Sequence, residues 1–307
     1  MKIFTHNFDP RSDSGPNKFS RQLLGNLIKT YDHSLSTQEE SDIEFCLIQQ
    51  VAQKLKPLVL RLDGIYFNKI QDYNQQNTLI NFSYKNADAV IFQSKFNKEL
   101  TEKWFGMHQN SHIVHNAYLE NVITDTIFKK DANSEIWSCA SSWRPHKRLV
   151  ENVRYFFENA PNNTTLYIAG GGVTDAEITS ISELSKLHDR TKKVKICGNI
   201  DYLTLRMLYD ASSTFIHLAY LDHCPNVVVD AVAHGCHVIC SSSGGTKEII
   251  RNGTIIIEDE WDFSPINLYD PPKLDFSKRI QSMGVVENLA SSKLCLEKYD
   301  NIFRSIL

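Results

Sequence analysis

The stretch STFIHLAYLDHCPNVVVDAVAHGCHVICSSSGGTKEIIRNG, from Ser213 to Gly253, constrains the chain more than any other. Its patterning predicts a strand over 215–218, a loop carrying Asp222 and a helix opening at Pro225. A second strand over 237–241 follows, and the turn Gly244-Gly245 then leads into another helix. Two strands joined through a helix pair in parallel, so a segment of this kind belongs to an α/β sheet with crossover connections. Val227, Val228, Val229, Ala231, Val232 and Ala233 make the first helix apolar on most faces, which calls for burial. Asp230 sits in its middle, and a carboxylate removed from water is costly unless a partner satisfies it. Asn226, Asp230 and His234 follow one another at i, i+4 and i+8 and share one narrow stripe, facing either solvent or the hydroxyls of a ligand. Pro225 suits a first helical position, where its missing N–H costs nothing. The helix start offers unpaired N–H groups, and Gly244-Gly245-Thr246 offers more, so two donor sets meet at the carboxyl edge of a parallel sheet. That edge suits an anionic ligand.

The rest of the chain repeats the alternation. Strands are expected over 2–8, 42–48, 57–62, 89–93 and 111–115, with helices over 17–29, 74–86 and 95–105. After a polar linker come strands over 135–140, 165–169 and 193–197, a helix over 201–210, a strand over 254–257 and a final helix over 285–307. The expected organisation is a domain over 1–117, a second over 118–284, and a last helix, 285–307, packing back on the first through Tyr299, Phe303 and Leu307. Both halves then carry a doubly wound parallel sheet.

Several strand ends bear chemistry. Arg144, Lys147 and Arg148, with His146 among them, focus positive charge on the turn after 135–140. Asp63, with Arg61, ends the strand over 57–62, where polar side chains face a ligand crevice; an internal Arg–Asp pair is the other reading. Gly15-Pro16 stands between the first strand and first helix, as a close-approach turn or an ordinary one. Glycines also follow two later strands, at 170–172 and at Gly198-Asn199-Ile200. Phe96, Leu100 and Trp104 form an apolar stripe suited to a core or to contact with a membrane carrying a lipid acceptor.

Asp222, Pro225, Asp230, Ala231, Ala233, Gly235, Gly244, Gly245 and Glu248 together resemble a signature of the retaining glycosyltransferases of family 4. That signature is written E-G-x-P-x-x-x-x-E-A-x-A-x-G, followed by a strand and G-G-x-x-E. Asp stands at both positions where the family usually has Glu. Val114-His115-Asn116-Ala117 is similar to the family's apolar-x-Asn-Gly at the end of its first domain. The resemblance implies the fold called GT-B, two Rossmann-like α/β domains with a cleft between them. It implies transfer of a sugar from a nucleotide-diphospho-sugar, UDP- or GDP-linked in the first instance, to an acceptor hydroxyl, with no further cofactor and no metal. By resemblance Arg144 and Lys147 hold the diphosphate, Asp230 the ribose and Asp222 the sugar hydroxyls. Gly198, Asn199 and Ile200 meet the base, the Gly244, Gly245 and Thr246 amides meet the sugar or phosphate, and Pro225 and Asn226 open the donor helix. Gly15 is the family's first-domain glycine turn, and Asp63 the candidate facing the reacting sugar. An epimerase on the same fold and a non-catalytic sugar-nucleotide-binding scaffold remain as alternatives.

Composition bounds these readings. A chain of 307 residues, 42% hydrophobic, is long enough for two cores, and a net charge of −3 argues against a dedicated nucleic-acid binder. No apolar run approaches the roughly 20 residues of a membrane span, and the N-terminus reads as a strand rather than a signal peptide. Seven scattered cysteines give neither a disulfide framework nor metal-ligand spacing, so a cytoplasmic protein is expected, with membrane contact confined to its periphery. The P-loop pattern G-x-x-x-x-G-K-[ST] does not occur.

Overall fold

The computed structural model describes residues 1–12, 14–120, 135–188, 192–282 and 292–307. The first part of the chain runs β1 (Lys2–His6), α1 (Gly15–Tyr31), β2 (Ser34–Leu35), β3 (Ile43–Leu47), β4 (Leu58–Leu62), α2 (Tyr73–Asn86), β5 (Ala89–Phe92), α3 (Lys95–Phe105) and β6 (Ser111–Ile113). The second part runs β7 (Glu135–Ala140), α4 (Leu149–Asn159), β8 (Thr164–Ala169), α5 (Asp175–Leu187), β9 (Lys193–Gly198) and α6 (Tyr202–Ala211). It continues through β10 (Thr214–His217), α7 (Asn226–Ala233), β11 (His237–Ser241), β12 (Gly253–Ile256) and β13 (Arg279–Ser282), and the chain closes with α8 (Ser292–Ser305). The described residues form two compact units, one of 1–120, 262–266 and 292–307, the other of 135–261 and 267–282.

In the first unit six strands lie in the order β2-β1-β3-β4-β5-β6, all parallel. Every residue of β3 and β4 is buried, as expected of parallel strands covered by helices on both faces. α1 lays Phe19, Leu23, Leu24 and Leu27 on this sheet, and α8 adds Tyr299 and Phe303. Phe45 of β3 meets both aromatic rings, at 6.1 Å and 5.3 Å between centroids. Glu44, in the same buried strand, is satisfied by His6 Nε2 at 2.8 Å, Gln38 Nε2 at 3.0 Å and the Leu55 and Lys56 amides at 2.7 and 3.0 Å. Those bonds tie the connection before β4 to the sheet.

The stripe of α3 is covered from within this unit. Phe96 packs against Phe263, and Trp104 meets Tyr73 and donates its Nε1–H to the Phe263 carbonyl at 2.9 Å. Segment 262–266, which the sequence places with the second domain, is thereby held to the first unit, with Ile266 bridging to Asn68. Among the described residues no helix is long and apolar enough to cross a membrane.

In the second unit seven strands lie in the order β13-β12-β11-β10-β7-β8-β9, parallel except for β13, which runs antiparallel to β12. Helix caps follow the local chemistry: Thr174 and Glu177 make a capping box on α5, and Asp201 accepts from the Thr204 amide at the start of α6. The core gathers Phe156, Leu166, Ile168, Ile216, Ile239 and Ile256 from strands and α4.

Three local expectations change, and others fall outside the described residues. The Gly244-Gly245 turn opens onto a single 3₁₀ turn, Thr246–Glu248, rather than a helix, so the second donor set lacks a helix behind it. β2 and β13 carry too few apolar residues to show in the pattern. Leu307 is 69% exposed and takes no part in the packing of α8. The expected start of the last helix, 285–291, lies outside the described residues, as does most of the linker after 120.

Phe303 is wholly buried between α8 and Phe45. Phe303→Ala is expected to destabilise the protein by about 3–5 kcal/mol in urea denaturation, the range for removing a buried aromatic ring.

Candidate functional site

The strand order of the second sheet fixes where a ligand can lie. β7 is first in the chain, β8 and β9 are added on one side of it, and β10, β11 and β12 on the other. The connections after β7 and β10 therefore leave in opposite directions, and a crevice opens at their carboxyl ends. The basic turn follows β7, and the Asp222 loop follows β10. Lys147 Nζ and Asp222 Oδ2 close an ion pair across this point, with side chains 18% and 15% exposed. A second link runs parallel to it, from the Tyr220 amide to the His146 carbonyl at 2.7 Å.

The basic and histidine side chains of this turn, at 144 and 146–148, have different fates. Arg144 precedes the 3₁₀ turn Pro145–Lys147, is exposed, and has no carboxylate partner among the described residues. His146 is buried and stacks on Tyr269 at 5.7 Å, 14° from parallel. Burial, with help from the Lys147 charge, pushes its pKa down to about 3, so it is neutral at physiological pH. Arg148 is turned inward. It adopts a left-handed backbone, φ 53°, and its guanidinium holds Glu258 by bonds of 2.9 and 2.6 Å. It also donates to the Leu218 and Pro272 carbonyls at 3.3 and 2.7 Å. A forked cation suits such multiple acceptors, and here it ties the ends of β10 and β12 together. Of the three cations, then, Arg148 is taken by Glu258 and Lys147 by Asp222, and Arg144 alone has no carboxylate partner among the described residues.

Asp222 is held on every side. Lys147 and His217 Nε2, the latter at 3.0 Å, both approach its Oδ2. Burial alone would raise its pKa, but Lys147 and His217 outweigh burial and hold the carboxyl well below the usual range. The backbone is fixed too: the Gly245 amide donates to the Asp222 carbonyl at 2.7 Å. Gly244, at φ 74°, packs so closely that a Cβ there would lie 2.4 Å from that carbonyl oxygen. The glycine pair thus seats the acidic loop, and the Gly245 N–H is already used. Thr246 is buried, with its Oγ1 unpartnered among the described residues.

The stripe on α7 divides. Pro225 is the N-cap, one position before the first helical residue, Asn226. Asp230 is 8% exposed and accepts from Tyr202 OH of α6 at 3.2 Å. His234 turns away and binds Asp210 through Nδ1 at 2.6 Å, so it ties α7 to α6 and leaves the stripe of Asn226 and Asp230. On the other side of β7, the glycines after β8 let three loops meet. A Cβ on Gly170 would stand 1.8 Å from the Ser141 carbonyl oxygen, and the Gly170 amide donates to the Gly198 carbonyl at 2.7 Å. Asn199 lies against Gly171, and Ile200 is half-buried beyond it.

Gly15 and Asp63 belong to the first unit. Gly15 is the exposed first residue of α1. Asp63 pairs with Arg61, which is wholly buried, lies 4.5 Å above the Phe19 ring and reaches Asn116 at 2.9 Å. The internal pair is therefore formed. Sequence reasoning missed His217 and the inward role of Arg148. A histidine at the end of an apolar strand looks like core, and a third cation in a basic run looks solvated.

Residues 130–262, less than half of the chain, match the family model described as glycosyl transferases group 1. A comparison with curated proteins gives no match. Among solved structures, the chain is similar to sucrose-phosphate synthase from Thermosynechococcus elongatus, with 14% identity and a TM-score of 0.66 over 100% of this chain and 94% of that one. It is similar to Anabaena HepE in complex with UDP and glucose, at 14% identity and TM-score 0.60 over 100% and 98%. The apo form of the lipopolysaccharide outer core galactosyltransferase WaaB is 13% identical, with TM-score 0.62 over 100% of both chains. The fold is α/β with two parallel-dominated sheets and matches GT-B glycosyltransferase structures.

Two predictions follow, one from the electrostatics of the site and one from its packing. His146 takes up a proton at about 6.5 when unfolded but only at about 3 when folded, so the unfolded state binds more protons between those values and stability is lost as the pH falls. His146→Phe, which keeps a ring on Tyr269, should gain on wild type by about 1.4 kcal/mol per pH unit as pH falls from about 6.5 to 4 in urea titrations. Gly244→Ala places a Cβ against the Asp222 backbone in a left-handed conformation. It is expected to cost about 1–3 kcal/mol, measured as the shift in denaturation midpoint.

Proposed function

We propose that the protein is a retaining glycosyltransferase that moves a sugar from a nucleotide-diphospho-sugar to an acceptor hydroxyl. The observation that carries this reading is the Lys147–Asp222 pair, with the exposed Arg144 beside it, spanning the switch point of the second sheet. Breaking an anomeric bond loads negative charge onto the departing diphosphate. Arg144 and Lys147 supply fixed positive charge where that develops, an interaction stronger in the transition state than before it. Asp222 meets sugar hydroxyls, Asp230 the ribose, and the loop of Gly198, Asn199 and Ile200 the base. The similar structures of Anabaena HepE in complex with UDP and glucose and with UDP-glucose support a UDP-sugar as the first donor to try. Asp63 is the candidate nucleophile for a two-step route, but Arg61 already draws on its charge, which favours reaction on one face of the sugar without a covalent intermediate.

Calorimetric titration of UDP, GDP, ADP and their sugars tests the proposal. One nucleotide should bind wild type tightly and lose that binding in Arg144→Ala and Asp230→Ala. With the matching donor sugar, Arg144→Ala should lower turnover about 10²–10³-fold, the usual effect of removing one preorganised donor. Failure of folded wild type to bind any of these nucleotides would overturn the proposal.

A further inference from the structure

His217 is the last residue of β10, and it is 4% exposed. Its ring stacks on Phe215 with centroids 6.4 Å apart and 12° between planes. Its Nε2 lies 3.0 Å from Asp222 Oδ2, the same oxygen that pairs with Lys147. The two donors come from opposite sides of the switch point, one on a strand end and one on the turn after β7. An aspartate has only two side-chain torsions, and two donors fixed on one carboxylate oxygen determine both. The Asp222 backbone is held separately by Gly244 and Gly245.

Both donors meet Oδ2, so Oδ1 keeps its acceptor capacity, on a side chain that is still 15% exposed. Burial holds the imidazole toward its neutral form against the pull of Asp222, so a single ring N–H is the donor that Asp222 receives. A glutamate at 222 would carry its carboxyl one methylene further from both anchors. The short acid and the strand-end histidine fit each other.

We propose that His217 is a positioning residue for sugar recognition: with Lys147 it holds Asp222 Oδ2 and so presents Asp222 Oδ1 as the acceptor for a hydroxyl of the donor sugar. The proposal rests on the nucleotide-sugar transferase reading. It gives His217 no contact with the nucleotide, so its effect falls on the sugar alone. The quantity that reads it is the ratio of the nucleotide's Kd to that of the matching nucleotide-sugar.

The test is calorimetry on the full chain with UDP and GDP, and with UDP-glucose and GDP-mannose. His217→Phe keeps the ring on Phe215 and removes the N–H; His217→Ala is the second deletion. Either is expected to lower the ratio about tenfold, the scale of a lost charge-assisted hydrogen bond, while the Kd for free nucleotide changes by less than about threefold. His217→Gln, whose side-chain amide can donate in the place of Nε2–H, should restore the ratio. Acting through Asp222, the loss should not add: His217→Phe with Asp222→Asn should give the ratio of Asp222→Asn alone. A purely structural histidine would lower the denaturation midpoint and leave the ratio where it was. If the nucleotide binds but the ratio is near one in wild type, is unchanged in His217→Phe, or falls additively in the double variant, the inference is overturned and the transferase reading stands. If no nucleotide binds wild type, both fall together.

Discussion

The pairing of Lys147 with Asp222 organises the second unit's site, because it joins the two connections that leave the sheet in opposite directions. An ion pair at the edge of a crevice gains little where solvent screens it, and more where one member is withdrawn from water. Here Asp222 is withdrawn and would be costly to ionise alone. Lys147 and His217 remove that cost, and their combined pull keeps the carboxylate charged. The loop after β10 can therefore lie close under the turn after β7, and the amide link from Tyr220 to His146 follows the same approach.

Close approach is also what the glycines supply. At Gly170 and Gly244 a side chain would run into the backbone of Ser141 and of Asp222. Both contacts lie at carboxyl ends of strands, where the loops converge. Glycine here serves loop-to-loop packing first, and any contact with a ligand depends on that packing being in place. Arg148 does related work from beneath: a buried guanidinium with four acceptors anchors the ends of β10 and β12 and leaves Arg144 and Lys147 as the cations at the surface.

The first unit shows the same economy in its core. Phe45, Tyr299 and Phe303 close one side of the parallel sheet, while the buried Glu44 and Arg61 each find charged or polar partners within the unit. A charge inside a sheet is tolerated because several donors or acceptors converge on it. Arg61 and Asp63 were readable as candidates because they stand at a strand end. Only packing shows that the arginine is wholly buried and takes Asp63 and Asn116 as partners.

By itself the sequence determined the alternation of strands and helices, hence two parallel-dominated sheets, and it placed Arg144, Lys147, Asp222 and Asp230 after strands or in a helix near the carboxyl edge. Those features follow from local periodicity, turn residues and short spacings, which a linear reading can see. Partner choice was decided by the tertiary structure alone. Lys147 meets Asp222 across 75 positions, His234 turns to Asp210 across 24, and Arg148 reaches Glu258 across 110. The order of strands in the sheet selects such neighbours, and it sends Arg148 inward while leaving Arg144, four positions earlier, exposed. The extent of the turn after Gly245 was likewise settled by packing, because three residues of 3₁₀ suffice to return the chain to the sheet.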